Sequence, residues 1–186
     1  MSVAGLLLAA GAGTRMGIPK ALAEGADGVP WGVSSARALI DGGCDEVVVV
    51  IGAAEDRVRA LLTGLPIESV VAPDWADGMG ASLRTGLSAL VSDSRADAAV
   101  VHLVDLPDVG SEVVRRLVQV AERHTLARAA YGEHRLGHPV VLGRDHWQGV
   151  MTTAVGDRGA RDYLRARDVA AIDCSDLATG IDVDYR

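Results

Sequence analysis

Apolar runs of strand length alternate along the chain with stretches in which apolar residues recur at helical spacing. This alternation predicts an α/β fold in three layers, with a mostly parallel sheet covered by helices on both faces. The predicted strands are residues 3–9, 46–51, 67–71, 98–104, 139–142 and 169–172. The valine-rich runs at 47–51 and 98–104 are almost continuously apolar, so we expect central strands that are buried on both faces.

Three apolar stripes at helical spacing predict helices that face the core between these strands. The stripes are Val58, Leu61 and Leu62; Leu83, Leu87, Leu90 and Val91; and Val113, Leu117 and either Val120 or Ala121. Aperiodic segments rich in Gly, Pro, Asp or His lie mostly beside predicted strands, where open α/β sheets bind ligands. Without a repeat, a low-complexity tract or a linker, the chain is predicted to form one domain over residues 1–186.

Composition narrows the range of partners. The 186 residues carry a net charge of −7 without a block of basic residues, which argues against a nucleic-acid surface. Lys20 is the only lysine, and Cys44 and Cys174 lack metal-ligand spacing, as is typical of structural thiols in a reduced compartment. The first apolar run lacks a preceding basic region, and no later run reaches the roughly 18 to 20 residues of a membrane span. We therefore expect a cytoplasmic protein without a membrane partner.

A glycine-rich segment follows the first predicted strand and carries Gly11, Gly13 and Gly17. Glycines at such a turn let consecutive backbone N–H groups point at an anion. The glycine spacing is one residue longer than that of the dinucleotide-binding fingerprint, and no acidic residue stands at the end of the second strand to hold a ribose. Lys20 also does not stand in the G-K-[S/T] sequence that ends a P-loop. Arg15 and Lys20 suit phosphate oxygens, although an ordinary strand-to-helix turn with solvated basic side chains is the alternative.

Asp105 closes the fourth predicted strand, where a hard carboxylate suits Mg²⁺. The alternative is a loop aspartate that caps the next helix, a role that Asp108 or Ser111 fills better. Gly78 and Gly80 let the backbone approach a ligand, and Ser82 falls in the first turn of the predicted helix that follows.

A further polar turn at residues 156–159 precedes a helix start at Ala160. At this helix start, Arg158 and Arg161 are candidates to bind the phosphate of an acceptor. His138 is expected to line a cleft, although a lone histidine is more often a structural hydrogen-bonding group.

The stretch LAAGAGTRMGIPK, residues 8–20, closely resembles the signature of nucleotidyltransferases with the MobA-like fold. W-x-x-G-M-x-x-S-L from Trp75, G-H-P-V around His138 and G-D-R-G-A-R from Gly156 resemble the cytidylyltransferase branch, close to the molybdopterin cytidylyltransferases. Asp105 matches the aspartate of the D-x-P motif, although Leu106 replaces its polar middle residue. Ala72 stands where that branch usually has Asn, and the closing segment GIDVDYR is a weaker match.

The resemblance implies a Rossmann-like nucleotidyltransferase fold with a nucleotide-binding half at residues 1–110 and an acceptor-binding half at 111–186. It implies transfer of a nucleoside monophosphate to a small phosphorylated acceptor, for which molybdopterin is the leading candidate. The pair Ala9 and Ala10 favours CTP as the nucleotide, and therefore transfer of CMP. The implied nucleotide-binding residues are Ala9, Ala10, Gly11, Gly13, Arg15, Lys20, Gly78, Gly80 and Ser82, with Arg15, Lys20 and Asp105 catalytic. The acceptor-binding residues are His138, Asp157, Arg158 and Arg161. Mg²⁺ is assigned to Asp105 and Asp182, with Asp184 as a substitute, and a transient protein partner would receive the product.

Two other functions remain open from the sequence. An NAD(P)-dependent oxidoreductase would use the glycine-rich segment as a dinucleotide cradle, but the spacing of the glycines argues against this function. A non-catalytic nucleotide-binding regulator would bind a triphosphate without turnover.

Overall fold

The computed structural model describes residues 1–184, in which seven strands form one sheet in the order β3-β2-β1-β4-β6-β5-β7. The strands are β1 (Val3–Leu8), β2 (Glu46–Ile51), β3 (Glu68–Val71), β4 (Ala98–Leu103), β5 (Leu126–Tyr131), β6 (Arg135–Gly143) and β7 (Ala170–Asp173). The α-helices are α1 (Trp31–Asp41), α2 (Glu55–Leu61), α3 (Met79–Asp93), α4 (Ser111–Val118), α5 (Arg144–Thr153) and α6 (Arg161–Arg165). Short 3-10 turns span Lys20–Leu22, Trp75–Asp77 and Gly156–Arg158.

Strand pairing brings the loops that follow β1 and β4 side by side. β1 pairs in parallel with β2 and with β4, and Leu8 at the end of β1 lies opposite Leu103 at the end of β4. β4 and β5 are each antiparallel to β6, while β2 with β3 and β5 with β7 are parallel. The chain order reverses between β1 and β4, which is the kind of switch point where open α/β sheets hold ligands.

Two apolar layers cover the two faces of the sheet and confirm the predicted three-layer α/β fold. One layer holds Leu39 of α1, Val58 of α2 and Leu117 of α4. The other holds Leu87 of α3 and Trp147 of α5, with residues from α6. The predicted stripes are correct except at Val91, which is 46% exposed, and of the two alternatives Val120 and Ala121 it is Ala121 that is buried. Among residues 1–184, none of the helices is both long and apolar enough to cross a membrane.

The sequence analysis missed β5 and the first half of β6. β5 reads LARAAY, in which alanines replace the β-branched residues that mark a strand, and Arg128 interrupts the apolar run. β6 begins at Arg135, four residues before the strand predicted at 139–142, because pairing with β5 continues to Tyr131 opposite Arg135. Tertiary pairing therefore overrides a weak local preference in both strands.

The contrast between Leu87 and Val91 on α3 gives a test of this packing. Leu87 is fully buried against the sheet, so Leu87→Ala removes contacts and leaves a cavity. We expect that substitution to lower the free energy of unfolding by about 2–5 kcal/mol, and Val91→Ala to lower it by less than about 1 kcal/mol. Urea unfolding followed by circular dichroism measures both, and equal losses would contradict the packing of this helix.

Candidate active site

A cavity of about 310 Å³ opens at the C-terminal ends of β1 and β4. Four segments line it: the glycine loop (residues 11–20), the 3-10 turn with the start of α3, the end of β4, and Asp157 of a distant turn. The predicted site residues that line this cavity are Ala10, Gly11, Gly13, Lys20, Gly78, Ser82, Asp105 and Asp157. Ala9 is buried beneath the cavity, whereas Arg15 is exposed at the outer edge of the loop.

The glycine loop owes its shape to one residue. Gly13 has a φ of 61°, and a Cβ there would lie 1.8 Å from the carbonyl oxygen of Ile18. Its own carbonyl accepts hydrogen bonds from Met16 and Gly17, each at 2.9 Å. The N–H groups of residues 11–15 donate to no acceptor within residues 1–184, so the loop presents a run of free donors. Such a run suits an anion.

Lys20 is the centre of the charged groups in the cavity. Its Nζ lies 2.8 Å from Oδ2 of Asp105 and 2.8 Å from Oδ1 of Asp184, and its side chain is only 19% exposed. Burial opposes the ammonium charge, but the hydrogen bonds to the two carboxylates outweigh that cost and raise the pKa of Lys20 above its usual value. The lysine is therefore a fixed positive charge beside the open donors of the loop.

Asp105 keeps one oxygen available to a ligand. Its Oδ2 accepts from Lys20, whereas Oδ1 is buried and has no hydrogen-bond partner among the described residues. Its backbone carbonyl accepts a hydrogen bond from the N–H of Val183 at 2.9 Å, which holds the C-terminal segment against the end of β4. Buried polar atoms are rarely left unpaired, so this oxygen suggests a site for a bound cation or donor.

The second carboxylate at this site is Asp184, where the sequence favoured Asp182. Asp184 contacts Lys20 and also accepts from Nη1 of Arg15 at 3.1 Å. Its hydrogen bond with Lys20, followed by the charges of Lys20 and Arg15, holds the pKa of Asp184 below its usual value. Asp182 is exposed, and the described chain gives it no ion pair. The substitute named from the sequence is therefore the carboxylate that faces Asp105.

The carboxylates of this site can be compared with the ligands that a divalent cation prefers. Among residues 1–184, no group of three His, Cys, Asp or Glu side chains is arranged to hold a metal. Two carboxylates do meet here, Asp105 with its unpartnered oxygen and Asp184. Mg²⁺ commonly takes one or two protein carboxylates and completes its shell with phosphate oxygens and water, so the residues present fit that ion.

Gly78 and Gly80 allow a close approach of two backbone segments. A Cβ at Gly78, whose φ is 103°, would lie 2.5 Å from Oδ1 of Asp157, and one at Gly80 would lie 2.9 Å from the backbone of residues 154 and 155. Both glycines therefore admit the 154–157 loop against the start of α3, which places Asp157 in the cavity. Ser82, in the first turn of α3, is buried and lines the cavity floor.

A second cavity, of about 100 Å³, adjoins the first and shares Leu8, Met79 and Asp157 with it. It brings together the four predicted acceptor residues, His138, Asp157, Arg158 and Arg161, and adds Arg128 of β5. Burial, followed by the neighbouring Arg128 and His102, lowers the pKa of His138 to about 3, so its ring is neutral at physiological pH. Sequence reasoning missed Arg128, and the only signal was a lone arginine in an alanine-rich run.

The fold is that of the Rossmann-like nucleotidyltransferases. Rv0371c from Mycobacterium tuberculosis H37Rv superposes with a TM-score of 0.84 at 26% identity, over 100% of this chain and 94% of its own. A nucleotidyl transferase from Methanothermobacter shares the fold, with a TM-score of 0.82 at 22% identity over 99% of this chain and 92% of its own. A structure of Rv0371c in complex with manganese has a TM-score of 0.78 at 25% identity, over 98% of this chain and 94% of its own.

The chain belongs to the MobA-like NTP transferase domain family, whose model matches residues 5–171. A curated relative, nicotine blue oxidoreductase of Paenarthrobacter nicotinovorans, is 39% identical and aligns over 98% of this chain and 92% of its own length. Family membership thus agrees with the resemblance in the glycine loop, while that relative is named for another reaction.

The ion pairs of Asp184 predict a pH-dependent contribution to stability. A carboxylate whose pKa is lowered by folding stabilises the protein above its unfolded pKa of 3.8 and loses that effect as pH falls through the folded value. We therefore expect Asp184→Asn to lower Tm near pH 6, and the difference from the wild type to disappear towards pH 2. Asp182→Asn is the matched control and should leave Tm unchanged. Thermal unfolding across that pH range measures both, and an equal effect of the two substitutions would refute the assignment.

Proposed function

We propose that this protein is a Mg²⁺-dependent nucleotidyltransferase that moves a nucleoside monophosphate from an NTP to a small phosphorylated acceptor and releases pyrophosphate. The observation that carries the proposal is the position of Lys20, held between Asp105 and Asp184 beside the free N–H groups of the glycine loop. Membership of the MobA-like NTP transferase family supports it. Positive charge, backbone donors and paired carboxylates are the groups that phosphoryl and nucleotidyl transfer requires.

The glycine loop and its two cations would bind the triphosphate. Residues 11–14 of the loop line the larger cavity, the N–H groups of residues 11–15 have no acceptor within residues 1–184, and Lys20 lines the same cavity as a point charge. Arg15 pairs with Asp184 at the outer edge, where its planar guanidinium can hold two phosphate oxygens. Triphosphate binding would exchange these carboxylate partners for phosphate oxygens.

Asp105 and Asp184 would hold the divalent cation. Bound there, Mg²⁺ would neutralise charge on the phosphate oxygens. The manganese complex of Rv0371c is consistent with a divalent metal in a homologue. Buried Oδ1 of Asp105 supports this assignment, because a metal would supply the partner that it lacks.

The chemistry needs no dedicated base. The second pKa of a phosphate monoester is about 6, so the attacking oxygen of the acceptor is already ionised at neutral pH. A bond forms between that oxygen and the α-phosphorus, while the bond from the α-phosphorus to the bridging oxygen breaks and pyrophosphate leaves with the electron pair. Lys20 would stabilise the developing charge, and the cavity walls would align the two reactants.

CTP is the favoured nucleotide and molybdopterin the leading acceptor, both by resemblance. Ala10 lines the larger cavity and Ala9 is buried, so Ala10 is the member of this pair that would contact the nucleotide. The larger cavity is lined by residues before 110 except for Asp157, whereas the smaller one draws Arg128, His138 and Arg161 from the second half of the chain. This division supports the assignment of nucleotide and acceptor halves.

Reduction of a substrate by NAD(P)H is the second candidate, and the 39% identity to nicotine blue oxidoreductase favours it. The residue after β2 argues against a dinucleotide cradle of the usual kind. Gly52 stands there, and a Cβ at that position would lie 2.6 Å from Cγ of Trp75, so the place of a ribose-binding acid is filled by the indole.

One experiment separates these functions. The protein is incubated with each NTP, Mg²⁺ and molybdopterin while pyrophosphate is measured, and in parallel with NADPH and an oxidised aromatic dye while NADPH absorbance is followed. Pyrophosphate released with CTP supports the proposal. NADPH consumption without pyrophosphate from any NTP would replace it with the reductase, and CTP binding without turnover would favour a regulator or a different acceptor.

The carboxylate of Asp105 gives the sharpest mutational prediction. Asp105→Asn removes a proposed metal ligand and a partner of Lys20, so we expect Mg²⁺-dependent turnover to fall below detection while circular dichroism shows an intact fold. Asp93→Asn removes an exposed carboxylate at the end of α3 and is the matched control. Turnover unchanged by Asp105→Asn would rule out the proposed role.

A further inference from the structure

The smaller cavity contains two positive charges without a counter-ion. Arg128 and Arg161 line it together, and neither has a carboxylate within 4.0 Å among residues 1–184. Arg158 differs, because its Nη1 pairs with Asp162 at 2.9 Å. Burial, and then the charge of the nearby Arg161, lowers the pKa of Arg128 from its usual value, because both oppose the charged form of the guanidinium. Such a pair is stabilised when an anion lies between its members.

Arg128 is held in place for such a ligand. Its Nε donates to the carbonyl of Gly137 at 3.3 Å, and Nη2 approaches the carbonyl of Leu136 at 3.5 Å. Both partners are neutral, so they orient the guanidinium without cancelling its charge, and Nη1 is left to bind a ligand. A preoriented fork of this kind loses little conformational entropy on binding.

Apart from Asp157, Arg158 and His138, the rest of the cavity lining is apolar. Leu83, Val140, Leu142 and Leu164 contribute to its lining beside the neutral ring of His138. A ligand that fits would carry an anionic group on a flat or apolar body, with the anion at the arginines.

The strand register indicates how far Arg128, in the smaller cavity, lies from Asp105, in the larger one. Arg128 lies opposite Val140 on β6, and Val140 lies opposite Val101 on β4. Asp105 comes four residues after Val101, so with ordinary strand spacings the Cα atoms of Arg128 and Asp105 are about 15 Å apart. That separation favours two distinct anion-binding positions over one position shared by Arg128 and Lys20.

We propose that Arg128 and Arg161 form a subsite for a second anionic group, a phosphate or a carboxylate, at the end of the acceptor remote from its reacting phosphate. The identification of the ligand as the acceptor rests on the proposed transferase function, whereas anion binding by the two arginines does not. The subsite would make Arg128 a specificity-determining residue, because acceptors without the second anion would bind less tightly.

Binding of aromatic anions to the full chain tests the subsite directly. Phenyl phosphate and benzoate serve as probes, with phenol as the neutral analogue, and affinities are measured by calorimetry at low ionic strength. We expect at least one of the anions to bind at least tenfold more tightly than phenol. The tighter of the two shows whether the subsite prefers phosphate or carboxylate, and equal affinity for phenol and both anions would overturn the proposal.

Substitutions assign the binding to the arginines. We expect Arg128→Gln and Arg161→Gln each to weaken binding of the preferred anion at least tenfold. Arg37→Gln, which removes an exposed arginine from α1 on the opposite side of the sheet, should leave it unchanged. Because Arg161 is itself exposed, its substitution keeps the test valid if Arg128→Gln fails to fold.

A last variant excludes the glycine loop as the binding site. Lys20→Ala should leave the Arg128-dependent binding intact, and binding lost with Lys20→Ala but kept with Arg128→Gln would overturn the proposal. Because these titrations contain no NTP, they are independent of the pyrophosphate assay. Absence of pyrophosphate with Arg128-dependent binding retained would refute the transferase alone.

Discussion

The ammonium of Lys20 lies between two carboxylates that come from distant parts of the chain. Asp105 lies two residues after the central strand β4, and Asp184 lies in the C-terminal segment, yet both are 2.8 Å from the same nitrogen. Charges that are largely removed from water are tolerated only when they are paired and hydrogen-bonded. Lys20 therefore holds the end of the sheet and the C-terminal segment close to the glycine loop. The larger cavity depends on that arrangement.

The sheet and its glycines bring these groups together. Parallel pairing of β1 with β4 starts the glycine loop beside the Asp105 loop, and Gly13 allows the turn that returns the chain to Lys20. On the other wall, Gly78 and Gly80 admit the 154–157 loop, which positions Asp157 between the two cavities. These three glycines thus allow backbone segments to approach each other closely around the larger cavity.

The sequence predicted those features that leave a periodic or compositional signal. Valine-rich runs marked β2 and β4 correctly, and three features singled out from the sequence, the glycine loop, Asp105 and the turn at 156–159, all contribute to the larger cavity. Alanine-rich β5 left no such signal, so Arg128 was missed together with its strand. The choice between Asp182 and Asp184 also lay beyond the sequence. Their segment belongs to neither a helix nor a strand, and it is held by tertiary contacts, the hydrogen bond from Val183 to Asp105 and the pairing of Asp184 with Lys20 and Arg15.

The two candidate activities make different demands on the same cationic cavity. A dinucleotide cradle and a triphosphate site both need backbone donors and positive charge, so the glycine loop alone does not discriminate between them. Asp105 does, because a buried carboxylate oxygen without a partner is costly and adds further negative charge beside the phosphates. A divalent cation removes both costs at once, whereas hydride transfer from a nicotinamide has no use for the pair formed by Asp105 and Asp184. The carboxylates around Lys20 are therefore the strongest argument for nucleotidyl transfer over reduction.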